Sequence, residues 1–173
     1  MKNYKNVMIA LGSALIMCVL LVIDLVTKAW AEAVNLQQAD YFLGIVRIWY
    51  TTNPGIAFGI FGANETAMAI MSYVTVVLAV LIAVMFFTLF RHNTPVRICL
   101  AVVEAGALGN IVDRFTLGYV RDFVDIGPIG FGVCNIADFF ITGGIVAVFP
   151  LTKKWREEAK KEDEERDKRN KHA

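Results

Sequence analysis

AMAIMSYVTVVLAVLIAVMFFTLF, residues 67–90, contains no charged side chain. A helix needs about 20 consecutive apolar residues to cross the hydrocarbon core of a bilayer, so this stretch predicts a transmembrane helix. Residues 7–30 form a second candidate, in which Asp24 is the only charge before residue 27. Residues 97–115 and 134–151 are weaker candidates, because each contains glycine and at least one charge. We therefore predict four membrane-spanning helices in a single domain, residues 1–151.

The composition agrees with a membrane protein. Hydrophobic residues make up 57% of the 173 residues, charged residues make up 19%, and the mean hydropathy is +0.55. A soluble domain of this length is typically much more polar. The three cysteines, Cys18, Cys99 and Cys134, are scattered and have the spacing of neither a zinc site nor a disulfide framework. The predicted fold class is therefore a membrane α-helical protein with four transmembrane helices.

The basic residues are distributed unevenly between the two sides of these spans. An even number of spans places both termini on the same side. That side would carry Lys2, Lys5, Arg91, Arg97 and the basic residues from Lys153 onward. The opposite side would carry only Lys28, Arg47, Arg114 and Arg121. Because cytoplasmic loops are enriched in Lys and Arg, we predict that both termini are cytoplasmic.

Two segments outside the spans have a distinct character. Residues 43–51 are rich in β-branched and aromatic residues, and Asn53-Pro54-Gly55 is a strong turn signal. We predict a small antiparallel sheet or hairpin over about residues 38–62, on the outer membrane surface, where aromatic side chains are favoured. Residues 152–173 alternate short basic and acidic blocks, which predicts a solvated cytoplasmic tail without a catalytic part.

Unusual polar side chains are concentrated at one end of the predicted bundle. They are Asp24 and Lys28 in span one, Asn110, Asp113 and Arg114 in span three, Asp122 in the following loop, and Asn135 and Asp138 at the start of span four. A charge beside lipid is costly, so such residues are typically paired or functional. The simplest interpretation is local pairing, of Asp24 with Lys28 and of Asp113 with Arg114. Asp138 fits that interpretation least well, because apolar residues follow it in the helix.

A second carboxylate close to Asp138 would create an acid/base pair. Two carboxylates within hydrogen-bond range cannot both be ionised, so they share one proton. The ionised member can take a proton from a water that attacks a carbonyl, while the neutral member polarises that carbonyl and later protonates the leaving amine. Residues 120–124 look strand-like, which would place Asp122 and Asp125 on opposite faces. The spacing alone does not choose between Asp122 and Asp125.

Other chemistries lack the residues they need. The two histidines, His92 and His172, lie on the inner side, so neither an HExxH zinc site nor a Ser/His/Asp triad can form at the outer end. The chain has no Gly-rich phosphate loop and no basic, aromatic-interleaved surface for nucleic acid. A small transporter or channel stays open as an alternative. It predicts polar residues through the whole bilayer depth, whereas only Glu104 lies in mid-span.

Five sequence blocks contain these polar residues. They are Asp24-Leu25-Val26-Thr27-Lys28, Asn53-Pro54-Gly55-Ile56-Ala57-Phe58, GALGNIVDR over residues 106–114, Val120-Arg121-Asp122-Phe123, and Asn135-Ile136-Ala137-Asp138. In this order, and in a four-span chain of this length, they resemble the bacterial lipoprotein signal peptidases, the aspartic signal peptidase II family. Each block alone is a weak signal, whereas the ordered set is specific.

The resemblance implies a catalytic dyad of Asp122 and Asp138. It therefore excludes Asp125 as the second catalytic carboxylate. It implies site-supporting or substrate-binding roles for Asp24, Lys28, Asn53, Gly55, Asn110, Asp113, Arg114, Val120, Asn135 and Ala137. It also implies an extracytoplasmic β-cradle with an interfacial segment, and cleavage of prolipoproteins just before a diacylglyceryl-modified Cys. A further alternative is a catalytically silent scaffold, which binds lipoproteins without cleaving them.

The resemblance also sets expectations for partners and location. The expected partners are lipid-modified prolipoproteins, membrane lipids and globomycin-type inhibitors, with no cofactor, no metal and no nucleic acid. The expected form is a monomer in the bacterial inner membrane, with its active site near the outer face. Two residues depart from the family pattern: Cys134 replaces the usual Phe beside the last block, and Glu104 replaces an apolar residue in span three.

Overall fold

The structure, a computed structural model, describes residues 2–35, 37–38, 40–54, 65–90, 93–127, 130 and 132–171. The elements follow in the order α1 (Lys2–Val34), β1 (Arg47–Asn53), α2 (Glu65–Phe87), α3 (Thr94–Leu117), β2 (Val120–Asp125), β3 (Val133–Cys134) and α4 (Ile136–Lys171). Within the described ranges, the segments long and apolar enough to cross a membrane are Asn6–Val34, Ala69–Phe87, Thr94–Leu117 and Ile136–Glu162. The predicted membrane α-helical fold with four spans is confirmed.

Helix α3 lies at the centre of the bundle and packs against the other three helices. Its buried residues include five small ones, Ala101, Ala105, Gly106, Ala107 and Gly109. Lipid is as apolar as Leu, so helices in a membrane associate largely through the close approach that small residues permit. A Cβ on Gly106 would lie only 2.5 Å from the carbonyl oxygen of Ala137 in α4. The contact between α3 and α4 therefore requires glycine at residue 106.

The contact between α1 and α3 likewise requires glycine at residue 109. We expect Gly109→Ala to destabilise the bundle by about 1–3 kcal/mol, the usual cost of overpacking. An added Cβ would overlap the carboxylate of Asp24, which is held in place by Lys28 and by the backbone N–H of Ala137. Thermal unfolding in detergent micelles measures the change.

Gly143→Ala is the matched control for this substitution. A Cβ on Gly143 meets no atom of the described residues within 4 Å, so alanine should leave the stability unchanged or raise it slightly. Equal unfolding temperatures for the two variants would contradict the close approach of α1 and α3.

A three-stranded antiparallel sheet lies where α1 and α3 end and α4 begins, and we call this the sheet end of the bundle. Strand β2 is central, between β1 and β3. The register pairs Arg47 with Asp125 and Asn53 with Val120. The predicted sheet therefore exists. Strand β1 pairs with β2, a segment far away in the chain, and local antiparallel bridges also join Gln37 to Trp49 and Phe42 to Val46. Residues 55–62 of the predicted cradle, Gly55 included, lie outside the described residues.

Two local features hold β2 at this position. Helix α3 ends at Gly118, whose φ of +80° is a left-handed conformation that glycine adopts without strain, and whose N–H donates to the carbonyl of Arg114. The chain thus turns sharply from α3 into β2. Behind β2, a buried cluster joins the sheet to α1 and consists of Ala31, Phe123, Val124, Ile126 and Cys134. Both features bring Asp122 close to the ends of α1 and α3.

Candidate active site

Asp122 lies on the central strand and is almost completely buried, with 2% of its surface exposed. Its Oδ1 accepts a hydrogen bond from Asn135 Nδ2 at 2.7 Å. Its Oδ2 accepts one from Asn53 Nδ2 at 2.8 Å. The register of β1 against β2 places Asn53 opposite Val120, which lies on the same face of β2 as Asp122. Both carboxylate oxygens are therefore held by amide donors from separate elements.

Asp138 lies in the first turn of α4 and is partly buried. Asn135 Oδ1 accepts from the N–H of Asp138 at 3.2 Å, and Asp138 Oδ2 accepts from the N–H of Asn135 at 3.1 Å. Such a reciprocal pair is a capping box, which satisfies two N–H groups that the start of a helix leaves without partners. The cap therefore fixes the orientation of the Asp138 side chain.

Asn135 forms hydrogen bonds with both carboxylates, those of Asp122 and Asp138. Its side-chain NH₂ donates to Asp122, while its backbone N–H donates to Asp138. The second hydrogen of the NH₂ group points to Asn110 Oδ1 at 3.2 Å. Both hydrogens of this amide and its oxygen therefore form hydrogen bonds within the site. The structure thus brings together Asp122 and Asp138, the two residues of the predicted dyad.

Asn110 connects Asp138 to a buried cation. Its Nδ2 donates to Asp138 Oδ1 at 3.0 Å, and its Oδ1 accepts from Lys28 Nζ at 2.8 Å. An ammonium group can only donate, so Lys28 determines which end of the Asn110 amide faces it. As a consequence, the NH₂ group of Asn110 is directed at Asp138.

Lys28 belongs to a buried ionic network with Asp24 and Asp113. Its Nζ lies 2.8 Å from Asp24 Oδ2 and 3.7 Å from Asp113 Oδ2, and all three side chains are fully buried. Asp24 also accepts from the backbone N–H of Ala137 at 2.9 Å, which ties α1 to the start of α4. The Asp24–Lys28 pair expected from the i,i+4 spacing is present.

The expected pair of Asp113 with Arg114 is wrong. Asp113 Oδ1 lies 2.7 Å from Arg121 Nη2, and Asp113 Oδ2 accepts from the backbone N–H of Arg121 at 3.0 Å. Adjacent residues of a helix point in different directions, so Arg114 faces away from this pair. Arg114 instead donates to the carbonyl of Asn110 at 3.5 Å and lines the cleft beside the aspartates.

Arg121 and Glu32 are two residues that the sequence did not single out. Arg121 Nη1 lies 3.0 Å from Glu32 Oε2, so Arg121 joins the end of α1 to Asp113 of α3. The hydroxyls of Tyr50 and Tyr119 also donate to Glu32, at 3.4 and 3.5 Å. The helical spacing of Glu32, one turn beyond Lys28, was the signal that could have identified it.

Asp125, the alternative to Asp122, lies in a different environment. Its Oδ2 lies 2.6 Å from Arg47 Nε and accepts from the Tyr41 hydroxyl at 2.9 Å, while its Oδ1 accepts from the Gly127 N–H at 2.8 Å. Burial raises the pKa of Asp125, but these three donors together outweigh burial and hold its pKa below the ordinary value. Asp125 is therefore an ionised residue whose carboxylate is held by Arg47, Tyr41 and the Gly127 N–H.

A cleft of about 200 Å³ opens beside the two aspartates. Its lining residues are Asn53, Asn110, Arg114, Val120, Asp122, Val133, Cys134, Asp138, Ile141 and Thr142. The cleft combines two carboxylates and one guanidinium with apolar walls. Ile141 and Thr142 belong to the membrane-spanning part of α4, so the cleft extends from the sheet into the depth of the bundle.

Cys134 lines this cleft but cannot act as a nucleophile at neutral pH. Burial raises the pKa of its thiol to about 12, and the nearby aspartates add to the effect. The thiol is therefore protonated, and only the thiolate is strongly nucleophilic. Among the described residues, no three His, Cys, Asp or Glu side chains are grouped as a metal ion would require.

Burial raises the pKa of Asp122 from its ordinary value of 3.8 to about 7. The hydrogen bonds from Asn53 and Asn135 lower the pKa, and the charge of Asp138 raises it, but burial is the largest cause. In the unfolded chain this carboxyl ionises near its ordinary value. The stability that Asp122 contributes is therefore fully present below about pH 4 and is lost as the pH rises through about 7.

We therefore expect Asp122→Asn, which stays neutral, to gain stability relative to the unmodified protein between pH 5 and pH 8. The gain should be on the order of 2 kcal/mol, because the unfolded carboxyl has released its proton in this range while the native carboxyl keeps it until about pH 7, and an amide does neither. Unfolding in detergent at the two pH values measures it. Asp125→Asn should show no such change, since the lowered pKa of Asp125 lies below this range. A pH-independent difference for Asp122→Asn would contradict the buried state of that carboxyl.

Four spans with a buried, two-carboxylate site at one end define a multi-pass membrane protein with a polar site at the membrane edge. The profile of the signal peptidase (SPase) II family, Peptidase_A8, matches residues 16–152. The chain belongs to this family, and is therefore a bacterial membrane peptidase, a hydrolase.

Individual relatives and solved structures agree with the family match. The chain is 35% identical over 140 residues to the lipoprotein signal peptidase of Caldicellulosiruptor bescii, which covers 79% of this chain and 88% of that protein. It is 33% identical over 135 residues to the lipoprotein signal peptidase of Anaplasma marginale, with 75% and 76% covered. A bacterial membrane enzyme solved by the in meso method at 2.3 Å resolution superposes with a TM-score of 0.71 at 27% identity, covering 83% of this chain and 88% of that one.

Proposed function

We propose that this protein is an aspartic endopeptidase that removes signal peptides from diacylglyceryl-modified prolipoproteins, cleaving just before the lipidated Cys. Its relatives in Caldicellulosiruptor bescii and Anaplasma marginale are lipoprotein signal peptidases by name. The observation that carries the proposal is the bridging of Asp122 and Asp138 by Asn135, which donates to one carboxylate from its side chain and to the other from its backbone.

In the proposed mechanism the two carboxyl groups share one proton around a water molecule. The ionised carboxylate takes a proton from the water as its oxygen attacks the carbonyl carbon of the scissile bond. The neutral carboxyl polarises the carbonyl oxygen and then gives its proton to the leaving amine. The raised pKa of Asp122, about 7, supports a pair that holds one proton near neutral pH.

The neighbouring groups would keep this pair in the reactive geometry. Asn53, Asn110 and Asn135 supply fixed donors to the carboxylate oxygens. Lys28 orients Asn110 and carries a positive charge behind the pair. Arg114 lines the same cleft, where a cation can stabilise the negative charge that develops on a tetrahedral intermediate. Positioning of this kind costs no reorganisation during the reaction.

The position of the cleft suits a substrate that is anchored in lipid. Asp138 begins α4, and Ile141 and Thr142 extend the cleft along the membrane-spanning part of the same helix. Acyl chains in the bilayer and the peptide bond at its edge could thus reach one continuous site. With both termini cytoplasmic, as the Lys and Arg distribution favours, the site lies near the outer face of the inner membrane.

A transport function has less support from the described residues. The polar network lies at the sheet end, and Glu104 is the mid-span exception. Glu104 borders a separate cavity of about 180 Å³ whose lining is almost entirely apolar, and its Oε2 accepts no hydrogen bond from the described residues. A proton or ion pathway would need polar partners on both sides of this residue.

The test is cleavage of a purified diacylglyceryl-modified prolipoprotein by the purified protein in detergent or nanodiscs. A gel shift reports cleavage, and mass spectrometry of the product should place the cut directly before the lipidated Cys. Globomycin should block the reaction. The same prolipoprotein without the diacylglyceryl group is the matched control and should be cleaved poorly. Absence of cleavage, or a cut elsewhere, would refute the proposal.

A further inference from the structure

The chain between α1 and β1 presents apolar side chains away from the core. Phe42 is 68% exposed, Leu43 is 80% exposed and Ile45 is 47% exposed. The next residue, Val46, has the opposite environment and packs on the buried cluster around Ala31 at the end of α1. We call residues 42–45 the apolar tip. It is a hydrogen-bonded turn, because Phe42 and Val46 form an antiparallel bridge.

The backbone of the apolar tip has a left-handed conformation at Leu43, which is energetically unfavourable for leucine. Leu43 and Gly44 have φ values of +51° and +71°, and the N–H of Ile45 donates to the carbonyl of Phe42 at 3.1 Å. Positive φ at both central residues is the property of a type I′ turn, which favours Asn-Gly or Gly-Gly. Leucine in this conformation is unfavourable. Folding alone would therefore select a polar residue or glycine at position 43.

The surroundings of the apolar tip are those of a segment at a lipid interface. Trp30 and Val34, in the last turns of the membrane-spanning helix α1, are exposed on its surface. At the base of the tip, the Arg47 guanidinium lies 4.6 Å from the Tyr41 ring centre and 4.4 Å from that of Trp49. Aromatic and Arg side chains favour the headgroup level of a bilayer, whereas aliphatic side chains favour the acyl boundary. The order from base to tip follows this gradient.

We propose that the apolar tip inserts into the lipid at the sheet end of the bundle, with Leu43 at the deepest point. The insertion would anchor β1, which starts at Arg47 directly after the tip and ends at Asn53, the donor to Asp122. Lipid contact at one end of this strand thus sets the position of a site residue at its other end. The insertion itself is independent of the proposed function, while its effect on catalysis rests on that function.

Accessibility of a thiol at residue 43 tests the insertion directly. Leu43→Cys in the full chain, in nanodiscs that hold one copy, should react with a membrane-impermeant maleimide at least about tenfold more slowly than Asp40→Cys. Asp40 is exposed and only three residues away, so it is the matched control. Labelling of the unsubstituted protein measures the background from the three native cysteines. Equal labelling of the two positions would overturn the proposal, as would protection of residue 43 only after substrate is added.

A second substitution separates anchoring from folding. Leu43→Asn suits the turn, so its unfolding temperature should equal or exceed that of the native protein. Its KM for a lipid-modified prolipoprotein in nanodiscs should nevertheless rise several-fold with kcat little changed, and Leu43→Met should keep the native KM. An unchanged KM for Leu43→Asn would overturn the link between the apolar tip and the site. Because the labelling experiment requires no activity, failure of the proposed function would not alter its outcome.

Discussion

Asp122→Asn and Asp138→Asn are each expected to reduce cleavage of a lipid-modified prolipoprotein by about 10³-fold or more. An amide can neither take a proton from water nor share one with a partner carboxylate. Because the proposed mechanism needs one ionised and one neutral carboxyl, the loss of either should stop both proton transfers. Initial rates from the gel-shift assay measure the effect.

Asp125→Asn is the control for this pair of substitutions. Asp125 lies on the same strand as Asp122 and is also buried, but its carboxylate binds Arg47 and Tyr41 instead of facing the cleft. The variant should keep activity within a few-fold of the native rate. Unfolding temperatures show whether each protein is folded. Near-native turnover by folded Asp122→Asn or Asp138→Asn protein would refute the aspartic mechanism.

Lys28→Met is expected to destabilise the fold by about 3–5 kcal/mol, the cost of breaking a fully buried ion pair from one side. Methionine has a similar length but no charge, so Asp24 would lose its cation and Asp113 would keep only Arg121. Asn110 would also lose the donor that orients its amide toward Asp138. We therefore expect the folded fraction to be inactive as well as less stable. Denaturant or thermal unfolding in micelles measures the first effect.

Lys154→Met provides the comparison. Lys154 pairs with Glu158 at 3.9 Å on the surface of α4, where 74% of its side chain is exposed. Exposed ion pairs of this kind contribute little, so its removal should leave both stability and activity unchanged. If Lys28→Met unfolded at the same temperature as Lys154→Met, the buried network at Lys28 would not have the role that its geometry indicates.

The helices could be predicted from local properties of the chain. An uncharged stretch such as residues 67–90 must be helical wherever it crosses lipid, because every backbone N–H and C=O then needs an internal partner. The structure places α2 at Glu65–Phe87, close to that prediction. The charged tail could be recognised from the sequence. The sequence did not predict that α4 continues without a break from Ile136 to Lys171.

The site could be predicted only in part. Helical periodicity identified the pair of Asp24 with Lys28, since the two residues are one turn apart. It failed for Asp113, whose partner Arg121 lies beyond the turn at Gly118. Likewise, the strand-like pattern of residues 120–124 predicted two faces. It did not predict that Arg47 would form an ion pair with Asp125 while Asn53 donates to Asp122. The catalytic and supporting roles of the site residues stay predictions, and Gly55 lies outside the described residues.

Hydropathy and the positions of charges are properties of the chain itself, so the sequence alone determined four spans and one polar end. The spacing left Asp122 and Asp125 open, and the resemblance to the signal peptidase II family favoured Asp122. Which of the two lies beside Asp138 in the folded protein depends on the register of β1 against β2, and on the close approach that Gly106 allows between α3 and α4. Register and approach are long-range quantities, set by packing between segments far apart in the chain. Only the tertiary structure decided that Asp122 and Asp138 meet at Asn135.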